Sequence, residues 1–215
     1  MTAQLPVPTR CAGRPTLGGL LVPWITLYAG GRYLFGALDK NRRDQALAEG
    51  RCQVCGQGFD ERICLAVRPA DVSVGYTGEP GMHPECLAYS VRACPMLSGE
   101  ATHYRTTPAS SGLPGVTEEA TGPRAGHPAE AFDAWWITPG SYRVKTDPEQ
   151  SGELLGVDLD VPVLRKRPIR PAQGPDLDSL LTLTRQALGL EDAPSNCPYQ
   201  PEGAPQPPSA TKEND

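Results

Sequence analysis

The spacing of apolar and polar positions changes along the chain, and each change marks an element. Leu20 to Leu27 (LLVPWITL) is a continuous apolar run of strand length, and Arg32 to Leu38 (RYLFGAL) reads as its partner. Ala29-Gly30-Gly31 between them suits a tight turn, because glycine accepts the positive φ such turns need. The next stretch, Lys40 to Glu49, reads as a helix capped by Asp39 and stopped by Gly50. Glu61 to Arg68 (ERICLAVR) has period two, with Ile63, Leu65 and Val67 on one face and Cys64 in the opposite phase. A turn-rich stretch from Val74 to Met82 returns as the second arm of a hairpin. Pro84 to Cys94 then reads as a helix closed by Pro95.

Beyond residue 98 the pattern is interrupted. Residues 98–130, rich in Gly, Ser, Thr, Pro and Ala, have no period and read as a linker. A second patch follows over 131–190. Ala134 to Val144 and Gly156 to Leu164 look like strands, and Leu177 to Leu188 like a helix with one apolar side. Residues 1–18 read as a flexible arm and 191–215, proline-rich and polar, as a disordered tail. The zinc-bearing part, argued below, occupies 19–97. The 23 glycines and 24 prolines make up roughly a fifth of the 215 residues and point to a modest core with long irregular stretches.

Seven cysteines, two of them in a tight C-x-x-C, favour metal binding over a disulfide framework where no export signal is evident. Cysteine thiolate and neutral imidazole are the preferred donors of tetrahedral zinc. Cys52 and Cys55 form one pair on a knuckle loosened by Gly56. His83 and Cys86 form the other. Pro84 keeps His83 out of helical geometry and suits the first helical position, so His83 is the expected N-cap with Cys86 in the first turn. The helix N-terminus then favours the Cys86 thiolate. The competing reading is a redox pair, but a redox C-x-x-C opens a helix after a buried strand, whereas Cys52 follows a helix stop. Cys64 reads as an apolar filler, with replacement of His83 as a ligand the alternative. Cys94 packs at the helix end, and Cys11 and Cys197 are free thiols in the two ends.

The order knuckle, hairpin, helix resembles a treble-clef zinc finger over roughly residues 50–95. The fold class expected is α+β: this finger braced by an N-terminal hairpin, then a strand–strand–helix patch and the tail. Three thiolates and one imidazole saturate a tetrahedral Zn2+ and leave no open position for water, which makes the site structural. The runs RCQVCG and GEPGMHPECLAYSVRACPML, with GRPTLGGLLVPWITLYAGGRYLFGALD before them, resemble small uncharacterised proteins of high-GC actinobacteria and their phages. That resemblance spans roughly residues 12–105 and implies the zinc ligands and a bacterial or phage setting, without a mechanism.

Charge narrows the functions. The net charge is −5, and eight basic residues between 40 and 105 are matched by eight acidic ones. A balanced finger is a poor phosphate clamp unless its arginines share a face. The densest basic run, Arg165-Lys166-Arg167, reads as a solvated strand exit or a nucleic-acid contact. Trp135 and Trp136 fall on opposite faces of a strand, so one can be core while the other anchors a partner. An HNH-like nuclease needs a histidine base, and only His103 and His127 are left over. No nucleophile elbow or phosphate loop is present. The expectation is a non-enzymatic, cytoplasmic zinc protein acting on another protein, with no membrane segment. A nucleic-acid-binding finger comes second and a nuclease third. The residues expected at a partner surface are Trp135, Trp136, Arg165, Lys166 and Arg167.

Overall fold

The computed structural model describes residues 5–107, 109, 124–150 and 152–171. They fall in one compact unit. A 3-10 turn, Thr9–Cys11, precedes the paired β1 (Thr16–Leu17) and β2 (Leu20–Leu21). Pro23 has no N–H to give a ladder and ends that pairing. The chain resumes as β3 (Thr26–Ala29), antiparallel to β4 (Arg32–Leu38). The expected strand from Leu20 to Leu27 is thus two strands, split at the proline. The turn is as expected: Gly30 and Gly31 have φ of 57° and 76°, the double positive φ of a tight hairpin.

Helix α1 (Lys40–Glu49) keeps its predicted bounds. The Asp39 carboxylate accepts from the Arg42 N–H at 3.1 Å, and Gly50 ends the helix at φ 62°. Strand β5 (Ile63–Val67) follows, then a helix the periodicity does not reveal, α2 (Pro69–Val74), and β6 (Tyr76–Thr77). Pro69 starts α2, Asp71 accepts the Arg68 N–H at 2.9 Å, and Gly75 closes it at φ 79°. These local signals override the expected hairpin arm over Val74 to Met82. What remains of that arm is one bridge, in which Cys64 and Met82 exchange backbone hydrogen bonds of 2.8 Å. Helix α3 (Pro84–Ala93) ends before Pro95 as expected, and a short α4 (Pro95–Ser98) is added.

The second half corrects the domain division. Its strands are β7 (Phe132–Ile137), β8 (Val144–Thr146), β9 (Leu154–Asp158) and β10 (Arg165–Arg170). The sheets run β10-β7-β5 and β6-β9-β8, all antiparallel. Strands expected in a patch over 131–190 therefore pair with strands of the expected 19–97 domain. The ends of the expected linker are paired as well: Tyr104 N–H reaches the His127 carbonyl at 2.9 Å, and Ala129 N–H that of Thr102 at 2.8 Å. The expected helix over 177–188 and the tail from 191 lie outside the described residues.

The β10-β7-β5 sheet separates two cores. Ile63, Leu65 and Val67 face Trp135, Ile137, Val157 and Leu47 on one side, as the period of two predicts. Cys64, Ala66, Ala134 and Phe132 face α3 and the cysteine cluster on the other. The chain is thus a mixed α+β structure of small sheets and short helices. Among the described residues no helix is long and apolar enough to cross a membrane.

Candidate metal centre

Cys52, Cys55, His83 and Cys86 converge: their donor atoms all lie within 4.8 Å of one another, and all four residues are buried. Tetrahedral thiolates around a zinc-sized ion stand ~3.8 Å apart for a metal–sulfur bond of about 2.3 Å. The cluster thus fits a single metal ion.

Local sequence explains the convergence. The knuckle closes through Cys52 N–H to Gln57 O and Gly56 N–H to Cys52 O, each 2.8 Å. Gly56 takes φ 80°, which few side-chain-bearing residues adopt. The indole of Trp24 lies flat against it, so that a Cβ there would meet the ring at 2.7 Å. The knuckle is also tied to its surroundings. Trp24 N–H reaches Val54 O at 2.9 Å, Gln53 N–H reaches Gly81 O at 3.0 Å, and the Gln53 amide donates to Pro80 O at 2.6 Å.

His83 is the N-cap of α3, with extended backbone (φ −68°, ψ 154°) before Pro84, and Cys86 sits in the first turn. The imidazole Nδ1 points to Cys55 Sγ at 3.4 Å, while Nε2 lies 3.1 Å from the Gly58 carbonyl. A carbonyl only accepts, so Nε2 carries the proton and Nδ1 is the lone-pair donor toward the metal position. Phe59 packs edge-on against the ring and Tyr142 against Phe59, which shields the site on that side.

The donor set suits a cation. With only protons to share, hydrogen bonding from the Cys52 and Cys86 thiols pulls the Cys55 pKa far down. The bond with Cys55 pushes Cys52 up to about 11, and its bonds to Cys52 and Cys55 drive Cys86 far above the usual range. One thiolate and two thiols are stable together; three thiolates in one buried cluster need a positive ion between them.

The remaining expectations sort as follows. Cys64 is buried but outside the cluster, and burial pushes its thiol up to about 12, which fits the filler reading. His103 is exposed, 3.0 Å from its neighbour Thr102 Oγ1, and His127 is exposed too. Trp135 is buried in the second core, beneath Lys166 Nζ at 3.5 Å from its ring centroid. Trp136 is half-buried on the other face, 5.9 Å below Arg165. Arg165, Lys166 and Arg167 lie within β10, at the edge of the sheet, rather than after a strand.

Cys11 is the main surprise. Expected as a free thiol in a flexible arm, it is 1% exposed, with Sγ 4.0 Å from Cys86 Sγ. Burial pushes its pKa up. Arg10 beside it pairs with Glu85 at 2.5 Å and with Asp60, and the Gln57 amide donates to the Arg10 carbonyl at 3.0 Å. Of the expected arm, Arg10 and Cys11 are thus held against the site. No spacing rule reports a contact 75 positions apart in the chain.

Compared with protein-family models, curated proteins and solved structures, the chain matches none.

Proposed function

We propose that residues 50–95 form a treble-clef-like finger closed by a structural zinc ion, and that the chain is a non-enzymatic accessory protein that recognises another protein. The observation that carries this reading is the buried set of three sulfurs and one imidazole nitrogen within 4.8 Å. Such a set occupies every position of a tetrahedral ion and leaves none for substrate or activated water. Zinc is the metal favoured by that mixture of thiolate and imidazole.

Protein is favoured over nucleic acid by what the arginines already do. Arg10 is engaged by Asp60 and Glu85, Arg51 by Glu49, and Arg68 by Asp71. Arg43 is taken up by the carbonyls of Gly78, Leu154 and Leu155. Two of the finger's four arginines, Arg51 and Arg68, are thus taken up, which leaves Arg62 and Arg92 for phosphates, the groups that supply most non-specific affinity. Exposed apolar side chains are available instead, Tyr28, Val72, Val74 and Leu164 among them, each more than half accessible.

Metal analysis of the purified chain is expected to give about one zinc per molecule, removed by a strong chelator with loss of the folded state. Structural zinc contributes about 10–16 kcal/mol of apparent binding free energy in finger peptides, comparable with the whole stability of a domain. No bound metal overturns the reading. Binding to mixed single- and double-stranded DNA and RNA at two salt concentrations tests the second reading: micromolar affinity that falls steeply with salt replaces the protein partner with nucleic acid.

A further inference from the structure

The four sulfurs around the centre, those of Cys11, Cys52, Cys55 and Cys86, do not have equal roles. Four donors complete the metal, and Cys11 is the thiol left over. Its sulfur stands 4.0 Å from that of Cys86, with both residues at most 1% exposed. The position is held from several directions. Cys11 N–H reaches Pro8 O at 2.8 Å, Arg14 N–H reaches Cys11 O at 3.0 Å, and Arg10 is pinned to Glu85, the residue directly before Cys86 in α3.

We infer that Cys11 and Cys86 form an oxidation site at which a hydroperoxide converts the pair to a disulfide and releases the metal. The Cys86 thiolate attacks one peroxide oxygen. The S–O bond forms and the O–O bond breaks. Sulfur is oxidised by two electrons to sulfenic acid, and the peroxide leaves as an alcohol, or as water when the oxidant is hydrogen peroxide, after taking up a proton. The Cys11 thiol then attacks the Cys86 sulfur. The S–S bond forms and the S–O bond breaks, and the hydroxyl leaves with the thiol proton as water. In sum, two thiols and one hydroperoxide give one disulfide, one alcohol and one water. Cys52 and Cys55 remain tied to the ion as ligands, whereas Cys11 has nothing to release before it attacks. The product keeps three of the four metal donors, and a three-donor site holds zinc more weakly.

Access runs through the N-terminal segment. The ion pairs that hold it at Arg10 lie at the surface, with Asp60 and Glu85 about half and two-fifths exposed, and pairs of that kind contribute little. Opening of this segment admits a small oxidant to Cys86, and its return brings Cys11 to the oxidised sulfur.

Metal release and the thiolate state of Cys86 rest on the zinc reading above; the approach of the two sulfurs does not. The test treats the full zinc-loaded chain with a few equivalents of hydrogen peroxide. Zinc is followed with a chromogenic chelator, and disulfides by mass mapping of unreduced peptides. The expected result is a Cys11–Cys86 cross-link, with one zinc released per disulfide and the process reversed by a dithiol. Cys11→Ser, which keeps the size of the side chain, should release zinc at least tenfold more slowly, while Cys94→Ala should match the wild type. A Cys52–Cys55 disulfide with Cys11 still free to alkylate overturns the inference, as does unchanged release from Cys11→Ser. Should the variant fail to fold, the wild-type peptide map decides alone. A chain isolated without zinc defeats the proposed function, but its peptide map still scores the Cys11–Cys86 bond.

Discussion

Gly56 shows how much of the centre rests on single residues. It adopts a left-handed backbone and leaves no room for a Cβ beneath Trp24. Gly56→Ala therefore meets two penalties: roughly 1 kcal/mol for the conformation, and roughly 1–3 kcal/mol for displacing the indole. The expected loss of about 2–4 kcal/mol is measurable by urea unfolding with zinc in excess. Trp24→Ala in the same background should recover the steric part alone. The four donors were legible in the sequence because each pair is local, with two residues between its members in both cases. Trp24 and Cys11 were not, because both reach the site from the N-terminal segment and neither contact leaves a periodic trace.

The elements divide along a similar line. Helix α1 was legible from end to end, since Asp39 and Gly50 are signals read within a single turn. The Val74–Met82 segment was not, because strand composition does not name a partner, and β6 pairs with β9 rather than with β5. Arg43 of α1 fixes that arrangement by donating to Gly78, Leu154 and Leu155. Glu79 in the turn after β6 is the group that bears the cost. Burial raises its pKa above the ordinary 4.5, and Arg68 and Arg43 only partly oppose the shift, with Asp71 adding to it. The folded state holds this proton to higher pH than the unfolded state. The resulting stability is therefore full below pH 4.5 and falls as pH rises through the raised value. Glu79→Gln should gain stability relative to the wild type between pH 5 and pH 8, and little below pH 4.5. Denaturant midpoints across that range check it, and an unchanging difference counts against it.

At the scale of the molecule, the sequence suggested two bodies joined by a linker, and the pairing of β5 with β7 makes them one. That pairing was illegible because the two strands lie far apart in the chain, with a low-complexity stretch between them. A fragment of residues 1–107 keeps all four metal donors but loses β7, and with it the cover over Ile63, Leu65 and Val67. Each such side chain contributes about 1.5–3 kcal/mol when buried, so their exposure takes a large part of a domain's stability of about 5–15 kcal/mol. The fragment is expected to bind zinc yet unfold in urea over a broad transition with a reduced slope; a sharp transition matching the whole chain would sink the single-body reading. The order of the strands also sets a timetable for synthesis. All four donors leave the ribosome before Phe132 is made, so zinc can be captured while the face that β7 covers is still open. At about 5–20 residues per second the delay lasts seconds. For that interval the nascent chain carries a finished metal knot and an unfinished sheet, which is when a chaperone, or a neighbouring copy still being made, can occupy the place of β7.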